Sequence, residues 1–352
     1  MTPSRLSFAD WRRRPNRTNC NFGTATPLTE TAVIQAKRGI GDVIWHLPFV
    51  RAIAAVSPGG RVTFMAPPTS GAHELLAAEP SVAETLYFEH AGSELRRGLN
   101  LIRLITLLRR KSFRTAWILD RTIRPALAAF AAGIPRRIGL GLGPQRLLIT
   151  NCGVDASHFH DHPIDWLRAL MDATGVPLAT TEPALPVAGE LPLAIGRKFS
   201  TCARPWLAVG IGAFDPARDW PDDNWAELVG GLRRMRPQGT VFLIGGAANR
   251  ARAENLIARA DGAPAVNACD LGLGEALALL HEADLFVGTD SGPMNLAVAV
   301  GTPAFVMFGV NRVLTYSKFI HPIIPERGPA PDGMARLKPA DVLEQVALQL
   351  GR

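Results

Sequence analysis

The sequence predicts an α/β protein made of two doubly wound parallel-sheet domains that face a central cleft. Short apolar segments alternate with longer amphipathic ones along the chain, and a proline-rich stretch at 176–192 interrupts this alternation. A length of 352 residues also exceeds what one hydrophobic core usually organises. We therefore expect four segments: a flexible N-terminal extension at 1–30, domains at 31–185 and 186–335, and a C-terminal helix at 336–352 that packs back across the hinge.

The first domain opens with a strand, a glycine turn and a helix. Thr31–Ala36 is a short apolar run, Gly39 and Gly41 follow it, and apolar residues then recur at helical spacing from Val43, which predicts an amphipathic helix. The turn reads GxGD, so it is a poor dinucleotide fingerprint. Asp42 lies where the carboxyl end of the strand meets the helix. This position suits either a helix cap or a general base in a ligand crevice, and both interpretations stay open here.

A basic segment follows later in the same domain. Between positions 96 and 146 only Asp120, at the end of a buried strand, opposes twelve cationic residues (Arg96, Arg97, Arg103, Arg109, Arg110, Lys111, Arg114, Arg121, Arg124, Arg136, Arg137 and Arg146). Such a field attracts anionic lipid surfaces or phosphorylated glycans, although a solvated basic face is the simpler alternative. No nucleic-acid-binding motif accompanies the charges, so we expect no nucleic-acid partner.

Metal sites and membrane spans are not expected. His158, His160 and His162 alternate and would suit a metal in an extended segment, but Asp161 and Pro163 are typical of a helix start. No run of about 18 apolar residues is present. The four cysteines are widely separated, which argues against a zinc ribbon or a disulfide framework and suits a reducing cytoplasm (Cys20, Cys152, Cys202 and Cys269).

The second domain contains the strongest local pattern of the chain. Two apolar strands, ending at Val287 and beginning at Ala304, flank a turn and a helix rich in small residues. Asp290 and Ser291 are good N-caps, and Gly292 permits the turn. The N-terminus of such a helix binds anions, although a well-capped helix without a ligand fits the same residues.

Three segments together resemble one family. They are 39–48, 214–221 and 290–297, and in this order and spacing they are similar to the lipopolysaccharide heptosyltransferases of glycosyltransferase family 9. The resemblance runs from about Thr31 to Pro303. It implies a GT-B fold, in which an N-terminal Rossmann-like domain binds the acceptor and a C-terminal one binds a nucleotide sugar.

The resemblance also implies an activity. The family transfers heptose, or a similar sugar, with inversion from an ADP-sugar donor to a hydroxyl of an anionic lipopolysaccharide-core acceptor. It needs no metal and no cofactor beyond the donor substrate. A cytoplasmic protein held peripherally at the inner membrane surface by its basic N-terminal domain is therefore expected.

Site residues follow from the resemblance position by position. Asp42 matches the general base. Arg218 and the Ser291–Gly292 turn would bind the departing diphosphate, while Asp290 would order the loop or contact the sugar. On the donor side we also expect Phe214, Leu271 and Asn295 to contribute. On the acceptor side we expect loop residues Gly39, Gly41 and Asp120.

The chain departs from the family pattern at two of these positions. The family commonly has Lys at Arg218 and His at Asn295. Arg keeps the charge but has a planar fork, whereas Asn cannot titrate. A family member that uses another nucleotide sugar or acceptor, and a non-catalytic sugar-nucleotide-binding protein, therefore remain alternatives.

Overall fold

The computed structural model describes residues 29–89, 92–151, 153–213, 215–260 and 264–350. The described chain forms two compact units that divide between residues 183 and 184, compared with the predicted boundary between 185 and 186. Residues 1–28, which the sequence analysis assigns to the extension, lie outside the described residues. No helix in the described ranges combines the length and the apolar character needed to cross a bilayer.

The N-terminal unit is built on a five-stranded parallel sheet in the order β3-β2-β1-β4-β5. Strand β1 lies at its centre, and every side chain in it is therefore buried. The elements in chain order are β1 (Thr31–Ile34), α1 (Ile40–Ala55), β2 (Val62–Ala66), α2 (Ala72–Leu75), β3 (Val82–Tyr87), α3 (Glu94–Lys111), β4 (Thr115–Ile118), α4 (Ile123–Ala131), β5 (Arg136–Gly139) and α5 (Pro163–Thr174).

Strand register brings two turns of this unit to one edge of the sheet. Ile34, the last residue of β1, pairs with Ile118, the last residue of β4. Since the strands are parallel, the turn after β1 and the turn after β4 leave the sheet side by side. The first leads into α1, which carries Asp42 in its first turn, and the second carries Asp120.

Helix α1 differs from the sequence prediction. It was expected to be amphipathic, but its residues from Val43 to Val50 are all buried. The helix packs on both β2 and α5, and eight consecutive residues are buried. The amphipathic interpretation was therefore wrong, because a helix buried around its whole circumference has no polar face.

The C-terminal unit contains a six-stranded parallel sheet in the order β11-β10-β9-β6-β7-β8. Its elements in chain order are α6 (Glu190–Lys198), β6 (Trp206–Gly210), α7 (Asp222–Met235), β7 (Thr240–Ile244), α8 (Arg250–Arg259), β8 (Ala265–Asn267), α9 (Leu273–Glu282), β9 (Leu285–Thr289), α10 (Gly292–Ala299), β10 (Ala304–Met307), β11 (Ile320–Ile323), α11 (Gly333–Arg336) and α12 (Pro339–Leu350). The two central strands pair through Gly210 and Gly288. A Cβ at either glycine would overlap the ring of Phe286.

The last helix, α12, packs on α7 and β10 of this unit. Val342 and Val346 belong to its hydrophobic core, and Leu343 fills the space above Gly231. Elements α6 and β11 were not predicted. Helix α6 begins inside the proline-rich stretch and packs on α9, while β11 is an edge strand that contains Pro322.

Candidate active site

Asp42 is the third residue of α1, and the N-cap of that helix is Gly39. The Asp42 carboxylate caps from within the first turn, because its Oδ2 accepts the Gly39 amide at 3.1 Å. Its Oδ1 lies 3.8 Å from the Lys37 ammonium, and 32% of the side chain is exposed. The capping bond therefore leaves a carboxylate that a substrate can reach.

The electrostatic surroundings make Asp42 a better proton acceptor than an ordinary aspartate. Burial raises the pKa of its carboxyl, the nearby Lys37 and the Gly39 amide lower it, and the charge of Asp120 raises it, so the net direction is upward from 3.8. A carboxylate whose pKa moves towards the working pH gains strength as a general base.

A side chain at position 39 would crowd the Asp42 carboxylate. Its backbone is extended, with φ −88° and ψ 150°, which any residue can adopt. A Cβ at this position, however, would lie 2.9 Å from Asp42 Oδ2. Gly39 therefore keeps space for the carboxylate, and Gly41 is the second residue of the same helix.

Asp120 connects the two turns at this edge of the sheet. It is almost fully buried, and its Oδ2 accepts the Ala36 amide at 2.7 Å while its Oδ1 accepts the Thr122 amide at 2.7 Å. The two oxygens thus bind backbone amides of the segments that follow β1 and β4. Asp120 therefore ties together the two segments that leave this edge of the sheet.

Lys37, the cation beside Asp42, shares an aromatic surface with Arg121 that sequence reasoning missed. The Arg121 guanidinium lies 4.5 Å from the ring centroid of Trp166, and the Lys37 ammonium lies 5.9 Å from it. Both cations follow the carboxyl ends of buried strands, which is the signal that could have identified them.

His46, one turn after Asp42, is fully buried, and burial lowers its pKa to about 3. It stays neutral at physiological pH and is shielded from substrate. Asp42 is therefore the titratable group that this end of α1 offers to a ligand.

The histidine segment folds as a helical turn and a cap. His158 Nδ1 lies 2.7 Å from Asp161 Oδ2, and His162 is the N-cap of α5, accepting the Ile164 amide. Within the part of the chain that the structure describes, no group of three or more His, Cys, Asp or Glu residues could hold a metal ion.

The second group of site residues surrounds the N-terminus of α10. Ser291 occupies the N-cap position. Its hydroxyl donates to the Thr289 carbonyl at 3.1 Å and makes no hydrogen bond to the N–H groups of the helix. The side-chain amide of Asn295 donates to the Ser291 carbonyl at 2.7 Å. The first turn, which begins at Gly292 and includes Pro293 without an N–H, therefore has no side-chain cap from Ser291. Uncapped N–H groups at a helix N-terminus are donors that an anion can accept.

Arg218 is held beside this turn by Asp290. One guanidinium nitrogen lies 3.2 Å from both the carboxylate and the carbonyl of Asp290. The Asn311 amide donates to the same carboxylate at 2.8 Å. Asp290 thus orders the loop, and it keeps a cation next to the positive end of a helix.

A second carboxylate lies near the other side of the guanidinium. Arg218 Nε is buried and makes no hydrogen bond among the described residues, but it lies 3.8 Å from Asp215 Oδ2, within ion-pair distance. Asn311, in contrast, was not identified from the sequence. It lies in a segment with little periodicity, 21 residues from its partner.

The remaining predicted donor residues are less directly placed. Leu271 is buried in the turn between β8 and α9, at the same sheet edge as the turns that carry Arg218 and Asp290. Phe214 lies outside the described residues. The structure thus brings the predicted site residues together in two groups, one in each unit.

Comparison with known proteins identifies the class and then the family. The two parallel-sheet α/β units match the GT-B fold of solved glycosyltransferases. Residues 101–323 match the model of glycosyltransferase family 9 (heptosyltransferase). The chain belongs to glycosyltransferase family 9, which confirms the resemblance stated from its three motifs. The Asp42 turn lies outside the matched range.

Individual relatives agree with this assignment. The chain is 26% identical to lipopolysaccharide heptosyltransferase 2 of Salmonella typhimurium over 284 residues, 77% of this chain and 80% of the relative. The structure of E. coli ADP-heptose LPS heptosyltransferase II matches with a TM-score of 0.73 at 24% identity, covering 92% of this chain and 99% of that one. E. coli heptosyltransferase WaaC with ADP-2-deoxy-2-fluoro heptose matches with a TM-score of 0.69 at 16% identity, covering 91% and 99%.

Proposed function

We propose that this protein is an inverting heptosyltransferase that transfers heptose from ADP-heptose to a hydroxyl of an anionic lipopolysaccharide-core acceptor. The observation that carries the proposal is the position of Arg218, which Asp290 holds beside the N-terminus of α10. A fixed cation and uncapped backbone donors are what a departing diphosphate requires.

ADP-heptose is the donor that the relatives favour. One matching structure is named an ADP-heptose heptosyltransferase, and another contains an ADP-heptose analogue. In the proposed reaction the bond between the anomeric carbon and the diphosphate oxygen breaks, and ADP leaves with both electrons. Arg218 Nε and the first amides of α10 would stabilise the charge that develops on it.

Asp42 is the proposed general base. As the acceptor hydroxyl attacks the anomeric carbon from the opposite side, its proton passes to the carboxylate and a new C–O bond forms with inversion. The raised pKa and the partial exposure of Asp42 support this role. The mechanism needs neither a protein-bound metal nor a cofactor, because the cation and the helix terminus act on the leaving group.

The acceptor is proposed to be an anionic glycolipid at the cytoplasmic face of the inner membrane. The curated relatives are named for lipopolysaccharide. Lys37, beside Asp42, and Arg121, which shares the Trp166 ring with Lys37, would offer cations to a phosphorylated sugar. The basic segment of the N-terminal unit would hold the protein peripherally at the membrane surface.

One observation favours a second candidate, a family member with another donor or without catalysis. Asn295 stands where the family commonly has His, and its amide is hydrogen-bonded to the Ser291 carbonyl. A titratable group is therefore missing from the first turn of α10 at this position. A protein that binds a sugar nucleotide without transferring it would fit this departure.

A nucleotide panel tests the proposal. Purified protein is heated with ADP, UDP, GDP or CDP, and transfer from ADP-heptose to a core acceptor is then measured. A nucleotide at roughly one hundred times its Kd adds about 2.7 kcal/mol of stability, which is a shift of a few degrees. Stabilisation by ADP together with transfer supports the proposal. Preference for another nucleotide would overturn the donor assignment, and binding without transfer would favour the second candidate.

A further inference from the structure

Two neighbouring helices of the N-terminal unit expose apolar stripes. Six large apolar side chains with exposures from 36% to 77% lie on α3 and α4, namely Leu95, Leu99, Ile102, Ile123, Leu127 and Phe130. On each helix the exposed positions are separated by four and then three residues. This spacing puts them on one face of each helix.

The stripes face away from the core. On α3 the buried residues Leu104 and Leu108 pack with Ala128 and Ala129 of α4 in one hydrophobic cluster against the sheet. Both helices therefore use their opposite faces for folding, and the exposed stripes are not part of the packed interior. Isolated exposed apolar residues are ordinary, but two adjacent stripes form a patch.

The two stripes form one surface, here called the α3–α4 face. The helices contact each other, and the Arg109 guanidinium donates to the Ala131 carbonyl at 2.7 Å. The two helices follow β3 and β4 and cover the same side of the sheet. The apolar residues of both helices are thus presented together.

Cations border this face. Arg96, Arg103 and Arg110 recur every seven residues along one flank of the α3 stripe, and all three are exposed. Glu94, the exposed first residue of α3, is the one acidic residue on the two helices, and from 95 to 146 the chain has only Asp120, which is buried. The face therefore combines apolar side chains with an excess of positive charge.

We infer that the α3–α4 face docks on the surface of a bilayer that contains anionic lipids. Apolar side chains flanked by arginines are the composition of surfaces that lie in the membrane interface, where the apolar groups enter the acyl boundary and the cations meet headgroup phosphates. A second copy of this chain is disfavoured as the occupant, because two arginine-rich faces would repel each other.

This inference refines the membrane contact of the proposed function by naming its surface, and it does not depend on the donor. The alternative, a basic face exposed only to solvent, accounts for the arginines but gives the six apolar side chains no role. Docking on a bilayer accounts for both. It also predicts a contribution to binding that salt does not screen, in addition to the salt-sensitive contribution of the arginines.

The test is co-sedimentation of the full chain with vesicles of phosphatidylcholine, with and without phosphatidylglycerol. Wild-type protein should bind the anionic vesicles. The double variant Leu99→Gln/Ile102→Gln should bind at least about tenfold more weakly, because it lacks two alkyl groups that would enter the bilayer. The matched control is Leu193→Gln, which alters a residue with 59% exposure on α6, compared with 60% for Ile102. It should bind like wild type.

Two further variants separate the components. Phe130→Gln tests α4 independently and should also weaken binding. Arg96→Gln/Arg103→Gln should weaken binding to anionic vesicles at low salt while leaving a salt-resistant remainder. The substitutions are at exposed positions, so turnover with a water-soluble, deacylated acceptor should be unchanged.

Several outcomes would overturn the inference. These are absence of wild-type binding to anionic vesicles, wild-type-like binding by Leu99→Gln/Ile102→Gln, or an equal loss in Leu193→Gln. A wild-type dimer in light scattering that becomes a monomer in the double variant would assign the face to a second copy. Vesicle binding without any sugar transfer would refute the proposed function and leave the docking surface standing.

Discussion

Substitution of Asp42 by Asn separates chemistry from binding. Asn keeps the shape, and its carbonyl oxygen can still accept the Gly39 amide that Asp42 accepts at 3.1 Å. It cannot take a proton from the acceptor hydroxyl. General-base catalysis contributes about 10²–10⁴-fold, so turnover should fall by that factor while nucleotide affinity is retained. The residues proposed to bind ADP are on other elements.

The stability of this variant provides a second measurement. The folded-state pKa of Asp42 is raised above 3.8, so the native state binds the proton more tightly than the unfolded chain does. The stability that this carboxyl contributes is therefore fully present below its pKa in the unfolded chain. It is lost as the pH rises through its pKa in the folded state. Asp42→Asn should consequently be at least as stable as wild type at neutral pH, and the difference should disappear in acid.

The assay is ADP release during transfer, together with melting curves with and without ADP. The chain offers a matched control, because Asp165 is also the third residue of a helix and has the same 32% side-chain exposure. Asp165→Asn should retain turnover. The reasoning is refuted if Asp42→Asn stays within a few-fold of wild-type turnover, if ADP stabilisation disappears with activity, or if Asp165→Asn is equally impaired.

Three other substitutions probe the same geometry. Lys37→Met removes a cation 3.8 Å from Asp42. The partly exposed pair is worth about 0.2–1 kcal/mol, so the acid limb of kcat/KM should move upward by less than about one pH unit; a downward move would contradict the electrostatic account. Gly39→Ala places a Cβ 2.9 Å from the carboxylate and should reduce kcat, whereas Gly98→Ala, with open space around it, should not; equal rates would show that the carboxylate can move aside. Arg218→Ala should weaken ADP binding by about tenfold or more in calorimetry, since charged hydrogen bonds contribute about 1.5–3 kcal/mol, and an unchanged Kd would remove Arg218 from the donor site.

Elements with strong local patterns were predicted well. Strands β1 and β9 are mostly apolar runs next to glycine turns, and both are fully buried sheet strands. The missed elements carry residues that weaken the pattern. Helix α6 contains Pro192 and Gly196, and β11 contains Pro322, which an edge strand tolerates.

The amphipathic prediction for α1 failed for a different reason. Apolar residues at helical spacing predict a helix, but the number of neighbours that cover it depends on the rest of the fold. Here β2 and α5 both pack on the helix. Periodicity along one segment contains no information about an element more than a hundred residues later.

By itself, the sequence determined the alternation of strands and helices and the family motifs, and it predicted Asp42, Arg218 and the Ser291–Gly292 turn as site residues. These features are local, because a capped helix or a glycine turn depends on residues within a few positions of each other.

Only the tertiary structure decided which partners surround these residues. Arg218 meets Asp290 across 72 positions of sequence, and Asp120 bonds to Ala36 across 84. The pKa of Asp42 is raised by burial that the whole unit creates. The apolar stripes of α3 and α4 become one surface only when both helices pack on the same side of the sheet. Charge, burial and shared surfaces depend on distance in space, and the parallel sheet sets that distance by bringing the ends of remote strands to one edge.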